Sequence, residues 1–172
     1  LYGTGGLVDL RTIQARAKEQ EKFVLLGIAQ MWEALVFSTA ADLWGDLPYA
    51  QAIDSRYPEP IFDSQKSIHD DVVLLLDKSI ANLERGQDFS SLNDFTFDGD
   101  TERWIRCAKT LKARIRLNWA EVEGAAAYQE ALLLAQNGIL DPSGGGDWKP
   151  LHRSGSGNEE SVWSQFFEEN QF

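Results

Sequence analysis

A chain of 172 residues, 43% of them hydrophobic, carries enough apolar content for one domain with its own core and too much for a disordered segment. Sixteen basic against 27 acidic residues leave a net charge of −11, which repels a phosphate backbone and argues against a nucleic-acid partner. The single cysteine, Cys107, excludes an internal disulfide and a thiolate zinc site, and His69 and His152 lie far apart, so neither a metal nor a cofactor is expected.

No uninterrupted apolar run reaches the roughly 18–20 residues of a bilayer span. The chain opens Leu1-Tyr2-Gly3 with no leader and no lipid-acceptor cysteine near its start. Residues 1–172 therefore read as a single domain that is an inner or processed portion of something longer.

Residues 7–41 are mostly helical. The stretch through Glu21 is polar and basic with spaced Leu10, Ile13 and Ala17, and a bend or break is expected near residues 19–22. From Phe23 the character changes. Val24, Ile28, Met31 and Leu35 form one stripe, and Leu25, Trp32, Val36 and Leu43 form another beside it. A helix apolar on several faces belongs at the centre of a core. Gly45 stops it, Pro48 prevents its resumption, and residues 45–62, with Pro48, Pro58 and Pro60, form an extended, ordered loop.

Asp63 or Ser64 caps the next helix. Its apolar stripe is Ile68, Val72, Leu75, Leu76, Ile80 and Leu83; Asp70, Asp71 and Asp77 take the other side, and Gly86 ends it. A second loop, residues 87–99, holds Phe89, Phe95 and Phe97. Asp100 then caps a helix striped by Trp104, Ala108, Leu111, Ile115, Trp119 and Val122. Gly124 breaks it, and residues 125–137 form an alanine-rich helix stopped by Gly138. Beyond Asp141 the glycine and serine runs read as loops, with a short strand over residues 161–167. The fold class is all-α: antiparallel helix pairs of tetratricopeptide-like shape, long ordered loops and a short C-terminal strand.

Few residues point to chemistry. Asp98-Gly99-Asp100 lacks the ligand spacing of a calcium loop, and Asp100 as a helix cap is the better account. Arg103, Arg106, Lys109, Lys112, Arg114 and Arg116 spread around their helix, which suits pairing with Asp70, Asp71 or Asp77 and surface solvation. Glu159-Glu160 and Glu168-Glu169 are neighbours in sequence, which gives no reason to expect two carboxyls facing each other across a cleft, so catalysis is not expected. Cys107 sits near an apolar stripe as a buried, inert thiol. Trp148 and Trp163 are either local anchors or flat faces for a sugar ring; Trp44 and Tyr57 join them as candidate ligand contacts.

Four segments in order resemble one family. Ala41-Asp42-Leu43-Trp44-Gly45-Asp46-Leu47-Pro48-Tyr49-Ala50-Gln51-Ala52 is similar to the Gly-Asp-Val-Pro-Tyr corner of SusD/RagB proteins. Asp63-Ser64-Gln65 running into Leu76-Asp77-Lys78-Ser79-Ile80 resembles the family's Asp-Ser-Gln helix start and its following Leu-Asp-x-Ala-Ile. Asp98-Gly99-Asp100 through Trp104, Ala108, Leu111 and Arg114 resembles a third motif, with Lys109-Thr110 where Asn-Ser or Asn-Thr is common. Asn158-Glu159-Glu160-Ser161-Val162-Trp163 resembles the fourth. The resemblance implies a surface-exposed outer-membrane lipoprotein, with its lipid anchor outside this chain. Such a protein binds oligosaccharide or peptide, delivers it to a TonB-dependent (SusC-like) barrel and performs no bond chemistry. Family ligand contacts vary, so none is carried across. A helical-repeat scaffold for proteins and an all-helical glycoside hydrolase remain the alternatives.

Overall fold

The computed structural model describes residues 1–86, 94–141, 143 and 146–149. Five helices follow in order: α1 (Leu7–Glu19), α2 (Phe23–Trp44), α3 (Gln65–Arg85), α4 (Thr101–Glu123) and α5 (Ala125–Gln136). The break expected at residues 19–22 is a sharp turn in which Glu21 takes φ 54° and the Lys22 amide donates to the Ala17 carbonyl at 2.8 Å.

Cross-helix bonds fix the direction of each neighbour. The start of α2 meets the end of α3, where the Ser79 hydroxyl donates to the Gly27 carbonyl at 2.7 Å. A Cβ on Gly27 would lie 2.7 Å from Leu83 Cγ and 2.9 Å from the Ser79 carbonyl oxygen, so only glycine permits this approach. The end of α2 meets the start of α3 at His69 and Ser38. The start of α3 meets the end of α4, where Lys66 pairs with Glu123 at 3.1 Å. Thr110 in the first half of α4 accepts from the Ile139 amide just past α5 at 2.9 Å, while Arg116 in its second half pairs with Glu130 at 3.1 Å. Successive helices are therefore antiparallel, and the all-α, tetratricopeptide-like architecture is the one observed.

Helix α2 packs against α1, α3 and α4. Twelve of its residues are buried, among them Met31, Phe37 and the polar Glu33, Gln30 and Ser38. Taken as a helix rather than as an unbroken apolar run, it is long and apolar enough to cross a membrane; here it is the core helix. Trp104, Ile68, Leu76, Leu83, Ile115 and Cys107 complete the centre. Two stripe positions depart from expectation. Leu43 is 68% exposed and Val122 is 78% exposed, each in the last turn of its helix, where helical spacing continues but no neighbour covers it.

Among the described residues there is no strand, only an isolated bridge between Leu47 and Asp63. The strand expected over residues 161–167, Phe89 and the carboxylates Glu159, Glu160, Glu168 and Glu169 lie outside the described residues.

Candidate functional site

The α2–α3 connection is a stitched corner. Gly45 ends α2 at φ 73°, a conformation costly for a residue with a side chain. The next residue, Asp46, reaches across to α3, where its Oδ1 accepts from the Gln65 amide at 2.9 Å. Ser64 caps the same helix by accepting from Ser67 at 3.2 Å. Leu47 and Asp63 exchange both backbone bonds at 3.1 Å. Asp63 Oδ2 accepts from the amides of Tyr49 at 2.9 Å and Ala50 at 2.8 Å. Of the two capping candidates, Ser64 is therefore the cap and Asp63 the stitch.

Helices α1 and α2 hold the far side of this loop. Arg11 donates to the carbonyls of Tyr49 at 3.0 Å and Ala52 at 2.9 Å. Its Nε donates to Glu33 Oε1 at 3.2 Å; the Tyr49 hydroxyl donates to the same oxygen at 3.1 Å, and Gln14 donates to Oε2 at 2.6 Å. A buried carboxylate is thereby fully paired. Burial, and then the charge of Glu33, pushes the Tyr49 hydroxyl far above its ordinary range. The Tyr2 hydroxyl donates to the Pro48 carbonyl at 2.7 Å.

Among the side chains that this frame exposes are three large apolar ones. Trp44 is 67% exposed, Phe62 71% and Ile61 59%. Tyr57 is exposed beside Arg56, whose guanidinium lies 5.7 Å from the ring centroid. Arg56 in turn clamps Asp54, holding that carboxyl down to about 2. Flat aromatic faces on a held loop can stack on the apolar face of a sugar ring.

Two of the four candidate contacts thus belong to one helix connection, Trp44 as the last residue of α2 and Tyr57 on the loop that follows. Trp148 does not join them. It packs edge-on against Trp32 at 5.3 Å and Trp104 at 6.1 Å, toward the end of the bundle where α4 begins. Its indole nitrogen is buried with no hydrogen-bond partner among the described residues. Trp163 lies outside the described residues.

Asp100 caps α4 by accepting from the Arg103 amide at 3.2 Å, as expected. The larger role belongs to Asp94. It accepts from the amides of Thr96, Phe97 and Gly99 and from the Trp104 indole at 2.6 Å. The available signal was that an Asp side chain readily bonds the backbone amide two residues on, here that of Thr96 at 2.8 Å. Lys112 meets Asp77 as expected, whereas Asp70 is taken by Lys66 and Arg116 turns to Glu123 and Glu130. Burial pushes the Cys107 thiol up to about 12, matching the inert reading.

The family model described as "Starch-binding associating with outer membrane", SusD-like, matches residues 1–163. No curated relative matches the chain. Among solved structures, a SusD/RagB family protein from Bacteroides thetaiotaomicron superposes with TM-score 0.73 at 24% identity, over 94% of this chain and 34% of that one. A SusD homologue from Bacteroides fragilis gives TM-score 0.72 at 19% identity, over 91% of this chain and 35% of its own. A chitin-binding SusD homologue from Flavobacterium johnsoniae gives 0.67 at 21%, over 77% and 29%. The chain spans about a third of the length of these structures, and at such identities the likeness speaks for the fold. With the family match over nearly its whole length, the chain belongs to the SusD-like family.

Proposed function

We propose that this chain is part of a surface-exposed outer-membrane lipoprotein that binds oligosaccharide and passes it to a TonB-dependent barrel. The observation that carries the ligand half is the corner between α2 and α3. It exposes Trp44 at the end of α2, and Tyr57 and Phe62 on the loop that follows, which Asp46 and Asp63 stitch. Family membership supports the transporter half, the extracellular location and a binding rather than an enzymatic role. Trp148 and Trp163 are retained as further ligand contacts from elsewhere in the protein, and a peptide is the alternative ligand.

One observation favours a protein-interaction scaffold as the second reading. Leu132, Leu133 and Leu140 at the α5 end are each about three-fifths exposed, and exposed apolar side chains are what partners cover.

The test is isolation of the intact protein from gently solubilised outer membrane, with partners identified by mass spectrometry. A stoichiometric TonB-dependent barrel supports the proposal. A soluble partner, or none, overturns the transporter role and favours the scaffold.

A further inference from the structure

Away from the corner, α4 and the end of α5 enclose an open cleft of about 330 Å³, at the lower end of ordinary ligand pockets. Arg106 and Lys109, one turn apart on α4, form one wall. Gln136 and Asn137 form the other, and Ile105 and Leu140 supply apolar surface between them. A smaller cleft adjoins it through the shared Arg106 and Leu140.

The walls are held. Thr110 donates to the Arg106 carbonyl at 2.9 Å and accepts from the Ile139 amide at 2.9 Å, which ties α4 to the segment leaving α5. The charges are what mark the cleft. Of the other α4 cations, Arg103 has Asp100, Lys112 has Asp77 and Arg116 has Glu123 and Glu130, while Arg114 donates to the hydroxyls of Ser38 and Thr39 at 3.4 Å. Arg106 and Lys109 have no ion-pair partner among the described residues, although Glu102 lines the same cleft. In a chain of net charge −11, two unpaired cations side by side in a concavity form a local reversal of sign.

We propose that this cleft is a subsite for an acidic sugar, a saccharide ring bearing a carboxylate. The planar fork of Arg106 matches a carboxylate in a bidentate contact, and Lys109 adds a point charge beside it. The carboxamide of Gln136 can serve ring hydroxyls, and Ile105 with Leu140 can meet the apolar ring face. The inference deepens the saccharide-binding reading above and rests on it.

Calorimetry on the intact protein tests it, with a short uronic-acid oligosaccharide and its counterpart in which every carboxyl is reduced to an alcohol. The acidic form should bind about tenfold or more tightly than the reduced form, the size of one lost charge-assisted pair. The preference should weaken in salt and vanish in the Arg106→Gln/Lys109→Gln double variant. Equal binding of the two oligosaccharides overturns the subsite, as does a double variant that keeps the preference. A double variant that only melts lower overturns it too, and assigns the cations to the carbonyl end of α5. If neutral oligosaccharides bind and acidic ones show no preference, the subsite falls and the proposed function stands. If no saccharide binds and no barrel is co-isolated, both fall.

Discussion

The indole N–H of Trp119 donates to Nδ1 of His69 at 2.8 Å, joining α4 to α3 inside the core. With Nδ1 accepting, the ring proton sits on Nε2, which faces Asp42 Oδ1 at 3.3 Å and the Ser38 carbonyl at 3.4 Å on α2. One buried imidazole therefore ties three helices. Replacing Trp119 by Phe leaves Nδ1 without its donor and should cost about 1–3 kcal/mol. Chemical denaturation of the Trp119→Phe, His69→Leu and double variants should show the double variant losing less than the sum; strict additivity would refute the coupling.

The corner makes a second prediction. Asp63→Ala removes the acceptor for two amides and should destabilise the protein by about 1–3 kcal/mol, whereas Asp46→Ala, which frees the Gln65 amide but leaves the Ser64 cap of α3 in place, should cost about 1 kcal/mol. Hydrogen exchange should show the Tyr49 and Ala50 amides losing protection in Asp63→Ala. Unchanged protection would show that the backbone bridge alone holds the loop.

Glu33 gives the largest expected loss. Its carboxylate is buried and takes donors from Arg11, Gln14 and Tyr49. Glu33→Ala should cost about 3–5 kcal/mol at most, reduced because Arg11 is 30% exposed and can turn to water. Glu33→Gln, which sets an amide against three donors, should fall between that variant and the native protein in a urea melt.

Cys107 supplies the pH prediction. Its folded thiol is raised from 9.0 to about 12 by burial, so the fold favours the protonated form. The stabilisation is complete below the unfolded value and is lost as pH rises from about 9 toward 12. Stability should therefore fall over that window less steeply in Cys107→Ala. At pH 8 an aromatic disulfide reagent should label the thiol only after denaturation; rapid labelling of the native protein would contradict its burial.

At the displayed surface, Trp44→Ala and Tyr57→Ala should leave the melting curve within about 0.5 kcal/mol of native, since exposed positions carry little of the core. Each should weaken oligosaccharide binding by about tenfold, the scale of one lost stacking contact, measured by calorimetry on the intact protein. Unaltered affinity in both would remove the corner as a ligand surface.

Much of the fold is legible in the sequence because it depends on local chemistry. Gly45, Ser64, Gly86, Asp100 and Gly124 punctuate the chain where helices start and stop, and each acts through bonds within a few residues. The stripes locate Ile68, Leu76, Trp104 and Ile115 for the same reason. What periodicity does not disclose are polar residues buried by distant partners. Glu33 has the polarity of a surface residue, and its environment comes from Arg11 and Tyr49, 22 and 16 positions away. Leu43 and Val122 err the other way, since a helix can keep its period past the point where a neighbour ends. At the candidate site, the aromatic types of Trp44 and Tyr57 are visible in sequence, but the course of the loop between α2 and α3 follows from Asp63, whose two amide bonds only the folded chain reveals.

The corner separates the parts that hold from the parts that show. Backbone amides, two aspartates and a buried ion pair do the holding, while Trp44, Tyr57 and Phe62 take no part in it. Outward positions at such a corner can be substituted without disturbing the scaffold. A protein built this way can change the surface it shows through substitution at a few residues, while the residues beneath them stay fixed.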